Sequence, residues 1–319
     1  MKGLSNAPAR LARIDDEAAG QRIDNWLLRE LKGVPRSHVY RLLRSGEVRV
    51  DSRRVGATHR LQAGERVRVP PVRTGVVSDG PRRALPDPGF PAIYEDEALL
   101  VIDKPAGVAV HGGSGVSFGV IEQLRAARPE ARFLELVHRL DRETSGLLML
   151  AKRRAALTAL HADLREGRVR KQYLALVRGV WRAGTRRIAA PLRKYVTAEG
   201  ERRVSVDRAE GLPSSTLLEV ERRAGPHTLV RATLETGRTH QIRVHLAHAG
   251  HPILGDDKYG DFALNKALQR EGLKRMFLHA ARLELAHPLT RAPLVFEAPL
   301  PPDLALFLDA VEAPRAEAV

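Results

Sequence analysis

The sequence predicts an α+β protein whose main domain is built on a mixed, largely antiparallel sheet, preceded by a small αβ module rich in arginine. Three observations carry this. Helical and strand-like patterns follow one another without regular strand–helix alternation. Six prolines, at 70, 71, 81, 86, 88 and 91, interrupt the chain in a stretch without apolar periodicity. Positive charge is concentrated before that interruption: residues 19 to 75 hold thirteen Lys and Arg against five Asp and Glu, +8 of the total +15.

At 319 residues the chain is long enough for two domains and a sizeable core. A charged fraction of 29% and a hydrophobic fraction of 43% are those of a globular protein. No run of about eighteen apolar residues suggests a membrane span. Met1 to Arg13 lacks the apolar stretch of a secretory signal, so a cytoplasmic location is expected. The absence of cysteine excludes disulfides and thiolate metal sites. With 53 Lys and Arg against 38 Asp and Glu, and a pI near 10.7, the natural partner is a polyanion. Arginine predominates over lysine, and its planar fork suits phosphate contact and stacking on bases.

Taken in order, residues 1 to 18 lack periodicity and are expected to form a flexible tail. Ile23, Trp26, Leu27 and Leu31 recur at helical spacing, and Gly33 is expected to end that helix. Pro35 opens a second helix, with Val39, Leu42 and Leu43 on its apolar stripe until Ser45-Gly46 stops it. Val48, Val50 and Val55 around the turn Asp51-Ser52, and Val67-Arg68-Val69 after Gly64-Glu65, read as short strands. Residues 19 to 75 are therefore two helices on a small sheet. Arg36, Arg41, Arg44 and Arg49 cluster on or after the second helix, where phosphate contact competes with an ordinary solvated face. Residues 76 to 90 are a Pro/Gly-rich linker.

The main domain, residues 91 to 305, opens with the strand Leu99 to Asp103, which ends at Lys104-Pro105-Ala106-Gly107. Gly112 to Gly115 resembles a phosphate-gripping loop but lacks the Lys-Ser/Thr that should follow, so a flexible loop is expected. A helix from Val120 to Arg128, a short strand from Leu134 to Val137, a helix from Arg154 to Arg165, a strand from Leu174 to Val177, another from Arg231 to Leu234 and a helix from His240 to Ala249 follow. Residues 306 to 319 are expected to be a carboxy-terminal tail.

Chemistry is best placed at His138-Arg139-Leu140-Asp141-Arg142-Glu143-Thr144-Ser145-Gly146, a polar turn feeding the apolar run Leu147 to Ala151. Arginines on both sides of Asp141 favour its charged form, although an isolated Asp between arginines is more often a surface turn. His240, His245 and His248 fall within one helix but lack the spacing and the intervening Glu of a zinc protease, so no metal is expected. No Gly-x-Ser-x-Gly elbow in the right context supports a serine hydrolase.

Four ordered motifs carry a specific resemblance: His138 to Leu147, Lys171-Gln172-Tyr173-Leu174-Ala175-Leu176-Val177, Gly237 to Leu246, and His251 to Gly260. Together they resemble the large-subunit ribosomal RNA pseudouridine synthases over about residues 20 to 300. Residues Arg22 to Val50, with the corner Gly46-Glu47-Val48-Arg49-Val50, resemble the RNA-binding module named after ribosomal protein S-four. The resemblance implies an isomerase that converts uridine to pseudouridine at specific sites in 23S ribosomal RNA, flipping the base out of the stack. It implies no cofactor. The implied partner is large-subunit ribosomal RNA or a ribosome assembly intermediate, with no membrane and no obligate protein partner. By the same resemblance Asp141 is the catalytic carboxylate, acting as nucleophile at the ribose anomeric carbon or as base toward a glycal. Arg243 pairs with it, Tyr173 stacks on the base and is a catalytic candidate for the later proton transfer from carbon five, Arg139 enters the RNA stack and Leu278 lines the pocket. A non-catalytic RNA-binding protein and a glycosidase releasing free base are the rival readings.

Overall fold

A computed structural model of the protein describes residues 9–16, 18–31, 34–72, 89–112, 118–182 and 184–313. The chain divides into two compact units, Met1–Arg83 with Arg153–Ala155, and Ala84–Lys152 with Ala156–Val319.

In the first unit, β1 (Arg10–Arg13), α1 (Ile23–Glu30), α2 (Arg36–Ser45), β2 (Arg49–Val50) and β3 (Arg66–Val69) form two helices and a three-stranded antiparallel sheet ordered β1-β3-β2. The apolar stripes meet as expected: Ile23, Trp26 and Leu27 of α1 and Val39, Leu42 and Leu43 of α2 pack with Val48, Val50 and Val67. Gly46 caps α2 at φ 75, a left-handed conformation that costs little only for glycine. Asp51 and Ser52, at φ 44 and 67, make the tight turn after β2. Two expectations change. The tail through residue 18 contains β1, whose backbone pairs with β3, and Ile14 is buried. Its pattern Arg-Leu-Ala-Arg is too short and polar to show period, so main-chain pairing supplies the order. Helix α1 ends at Glu30, with the Leu31 N–H bonded back to Leu27 O; the expected Gly33 stop lies outside the described residues. So do most of the linker and Gly113 to Gly115 of the glycine-rich loop.

The second unit contains β4 (Ala92–Glu95), β5 (Leu99–Lys104), α3 (Val120–Ala127), β6 (Glu135–Leu136), β7 (Ser145–Ala151), α4 (Arg154–Arg165), β8 (Arg170–Val177), β9 (Arg186–Ala189), β10 (Leu192–Val196), β11 (Arg202–Val206), β12 (Ser215–Ala224), β13 (His227–Leu234), α5 (Gln241–His248), α6 (Phe262–Arg270), β14 (Leu278–Ala286), β15 (Pro293–Glu297) and α7 (Pro302–Glu312). Its ten-stranded sheet runs β4-β5-β7-β14-β8-β13-β12-β9, with β6 on β7 and β15 on β14. All pairs are antiparallel except β7 with β14. This is the mixed, largely antiparallel α+β sheet that the sequence predicts.

Side chains alternate across a strand, and here both faces of the central strands are covered. Leu100, Ile102, Leu148 and Leu150 join one core, while Leu99, Val101, Leu147 and Met149 join the other with Ala156, Leu157 and Leu160 of α4. That double burial is why β5 and β7 read as unbroken apolar runs. The close pairing of β7 with β14 depends on Gly146, at φ 107, where a Cβ would lie 2.3 Å from the carbonyl oxygen of Ala280. Two further expectations change. Strand β8 begins at Arg170, so Tyr173 sits inside it rather than at its start. The supposed tail from 306 is helical to Glu312: Pro302 opens α7, and Leu304, Phe307 and Leu308 form an apolar stripe buried in the core.

Candidate active site

Asp141 lies on the loop between β6 and β7, and the loop is clamped at its base. The Lys104 side chain is fully buried and donates to the carbonyl oxygens of Pro105 (2.7 Å), Val108 (2.9 Å) and Arg142 (3.1 Å), using its three N–H bonds. Burial draws its pKa down to about 8, although the nearby Glu143 and Asp141 carboxylates resist this. The Gly107 N–H bonds to Arg142 O at 2.9 Å and the Thr144 N–H to Asp141 O at 3.1 Å. The turn is thus fixed by backbone contacts to the end of β5, and the Asp141 side chain remains 27% exposed at its tip.

Helix α5 brings Arg243 to this carboxylate, with Nη1 3.4 Å from Asp141 Oδ2. The firmer grip comes from elsewhere. Nε and Nη2 of Arg243 donate to the two oxygens of Asp256, each at 2.7 Å, in a bidentate pair that is almost wholly buried. Asp256 also accepts from the Lys258 and Tyr259 N–H groups at 2.8 and 3.0 Å, and its own carbonyl accepts from Asn265 Nδ2 at 2.7 Å. Burial works against charge at both partners. The mutual hydrogen bonds and attraction prevail, lowering the Asp256 pKa and raising that of Arg243. The guanidinium also lies 5.1 Å from the ring centroid of Tyr259.

His240 stands between these groups. It is the residue before α5, at φ 53, with Nδ1 2.8 Å from the Tyr259 hydroxyl and Nε2 3.9 Å from Asp141 Oδ1. The Tyr259 hydroxyl also accepts from the Val204 N–H at 3.0 Å, which fixes the phenol against the His240 ring. Burial lowers the His240 pKa against the pull of Asp141, and pushes that of Tyr259 up to about 12.

Asp141, Arg243, Tyr173, Arg139 and Leu278 all line one cavity of about 760 Å³, within the usual range for a small-molecule-sized site. Tyr173 is 6% exposed and its hydroxyl has no hydrogen-bond partner among the described residues. Burial, reinforced by the Asp141 charge, raises its pKa, so the phenol stays neutral. Neither arginine flanking Asp141 in sequence pairs with it among the described residues. Arg142 bonds to Gly107 O and Glu143, and Arg139 is exposed. The histidines of α5 also separate: His245 is buried, bonded to Thr216, Ser214 and the Ala190 carbonyl. In the first unit Arg36, Arg41, Arg44 and Arg49 are exposed and make no ion pair among the described residues. Arg54 joins them, donating to Arg44 O at 3.0 Å and lying against Gly46.

Reading the residues one by one missed Lys104, Asp256, His240 and Tyr259 as parts of this site. Motif position hinted at Asp256, His240 and Tyr259, and nothing in the motifs hinted at Lys104.

A part-exposed Asp141 beside an Arg243 anchored by buried Asp256, on the wall of a basic cavity that also holds Tyr173 and is carried on this sheet, fits one class of protein, and comparison with known proteins agrees. Residues 98–248 match the family model for RNA pseudouridylate synthase, and residues 21–67 match the S4 domain. The chain belongs to the RNA pseudouridylate synthase family, and is an isomerase. It is 51% identical over 310 residues to "Ribosomal large subunit pseudouridine synthase C" of Pasteurella multocida (strain Pm70), covering 96% of this chain and 95% of that one. It is 53% identical over 300 residues to the protein of the same name in Escherichia coli (strain K12), covering 91% and 93%. Among solved structures, "Human RNA Pseudouridylate Synthase Domain Containing 4" matches with a TM-score of 0.58 at 26% identity, over 69% of this chain and 92% of that one. "Human RNA Pseudouridylate Synthase Domain Containing 1" matches with 0.56 at 28%, over 71% and 96%. Among the described residues no helix is long and apolar enough to cross a membrane.

Proposed function

We propose that this protein isomerises specific uridines to pseudouridine in large-subunit (23S) ribosomal RNA, free or in an assembly intermediate, with Asp141 as the reacting carboxylate. The observation that carries this reading is the convergence of Asp141, the Asp256-anchored Arg243 and Tyr173 on one cavity, in a chain about half identical to large-subunit synthases.

The reaction breaks the bond from uracil N1 to the ribose anomeric carbon, turns the base and forms a bond from C5 to that carbon. A proton leaves C5 and one is gained at N1, so no electrons are exchanged. A stacked uridine hides its glycosidic bond, and unstacking costs a few kcal/mol. Exposed Arg139, at the cavity mouth, would fill the gap left in the stack. The flipped base would lie on Tyr173 beside Leu278, with the sugar toward Asp141. There the carboxylate attacks the anomeric carbon or removes a sugar proton to give a glycal. Arg243 orients it. Since burial keeps the Tyr173 phenol protonated, stacking suits it better than acting as a phenolate base toward C5. The exposed Arg36, Arg41, Arg44 and Arg49 of the first unit would hold RNA phosphates.

The test is Asp141→Asn, assayed with ribosomal RNA by release of label from uridine C5 and by chromatography of the digested RNA. RNA affinity should persist while turnover vanishes. Pseudouridine made by the purified variant would refute the assignment, and free uracil from the wild type would indicate a glycosidase.

A further inference from the structure

Three cations face the Asp141 cavity with neither a side-chain hydrogen bond nor an ion pair among the described residues: Arg139, Arg165 and Lys171. The other arginines of the lining are engaged, Arg243 by Asp256 and Arg238 by the Pro213 carbonyl. Glu235, at the same end of the cavity as Lys171, is taken up by Arg187 and Ser215.

Lys171 is the unusual one. Arg139 and Arg165 are exposed and their charge is solvated, but Lys171 is half-buried on a central strand. Burial lowers its pKa, and neither a hydrogen bond nor an ion pair compensates it among the described residues. Its ammonium rests beside the backbone of Gly237, where a Cβ would lie 3.5 Å from Nζ, and its charge is felt by His138, the residue next to Arg139. A partly desolvated, unpaired ammonium is destabilising. A methionine would fill the same space on β8 without that cost. Such a charge in a cleft points to a ligand of opposite sign.

Position says which part of the ligand. Lys171 and Tyr173 are two residues apart on β8, hence on the same face and about 6.7 Å apart along the strand. That is the scale of the separation between a base and the phosphate of its own nucleotide. A uracil carbonyl would be served by a neutral donor; a phosphodiester calls for a charge, and lysine acts on phosphate as a point charge.

We infer that Lys171, with Arg165 at the cavity rim, binds the backbone phosphate adjoining the flipped uridine. This rests on the pseudouridine synthase reading, and wild-type activity tests that reading separately. The probe is a short RNA cut from around whichever uridine the wild type modifies, with one neutral methylphosphonate on either side of that uridine in separate versions. Lys171→Met should raise KM for the unmodified RNA about tenfold or more, the loss of one charged hydrogen bond, with a smaller fall in kcat. Its dependence of log affinity on log salt should flatten by about 0.7, the share of one single-strand phosphate. One of the two methylphosphonates should weaken the wild type by a similar factor and leave Lys171→Met unaffected. The variant should melt no lower than the wild type, which excludes misfolding as the cause. The inference is overturned if both methylphosphonates weaken the variant as much as the wild type, or if kcat falls while KM and the salt slope hold. No pseudouridine from the wild type would overturn the underlying reading instead.

Discussion

Asp256→Asn tests whether the cavity works by holding Arg243 in place. In the wild type both oxygens of Asp256 accept from Arg243 at 2.7 Å, and the two side chains are 1% and 5% exposed. Asparagine keeps the volume but removes the charge, and its amide presents N–H groups to a guanidinium that has only donors. Breaking a buried ion pair from one side costs about 3–5 kcal/mol, because the remaining charge stays buried. Asp141 and Asp257, each 3.4 Å from Arg243, are still available to it, which favours the lower end, about 3 kcal/mol. For a unit of this size each kcal/mol lowers Tm by about 2–4 °C, so a fall of roughly 6–12 °C is expected. Freed from Asp256, the guanidinium can rotate toward Asp141 and exposed Asp257, and the carboxylate loses its fixed orientation. At a temperature where both proteins are folded, kcat should drop by at least about tenfold, with a smaller change in KM, since the effect falls on positioned charge rather than on RNA binding. Calorimetry and C5-label release read the two effects. A variant that melts as low as expected but turns over within twofold of the wild type would show that Asp256 serves stability alone. One that melts like the wild type would refute the energetic argument.

Two further outcomes are expected. Replacing Arg41 and Arg44, which lie one turn apart on α2 and make no ion pair among the described residues, by alanine should weaken RNA binding. The salt slope should flatten by about 0.7 for each phosphate no longer neutralised, with kcat unchanged; titrations at several salt concentrations check this, and an unchanged slope would show that the helix does not touch RNA. His279 is wholly buried, accepts a hydrogen bond from Ser145 at 2.9 Å and donates to the Ala298 carbonyl at 3.1 Å. Burial holds its pKa down to about 4 against an ordinary 6.5. The unfolded chain therefore takes up this proton first. The associated stability is fully present above about pH 6.5 and declines as pH falls toward 4, by on the order of 3 kcal/mol. His279→Gln should make the Tm less sensitive to pH across that window, and parallel melting curves would argue against it.

Elements whose pattern is local were legible in the sequence. The 3.6-residue stripes of α1, α2 and α4 and the apolar runs of β5 and β7 emerge from neighbours a few positions apart. So does the polar turn with Asp141. Strands β9 to β12 were not, because they carry charged residues at consecutive positions and leave many of their side chains exposed or partly exposed, which blurs the period. Strand β1 has no period at all and is ordered by pairing with β3.

By itself, then, the sequence determined the two-part organisation, the α+β class, a positive charge that suits a polyanionic partner and, through four ordered motifs, the candidate reactive residues. The tertiary structure alone decided who holds whom. Arg243 and Asp141 are 102 positions apart, and Lys104 and Arg142 are 38 apart; the order of strands in the sheet, not any local preference, makes them neighbours. It also decided which charges are satisfied. Among the described residues the arginines flanking Asp141 do not pair with it, Asp256 takes most of Arg243, and Lys171 has no acidic partner, because pairing in a folded chain follows distance and burial rather than adjacency.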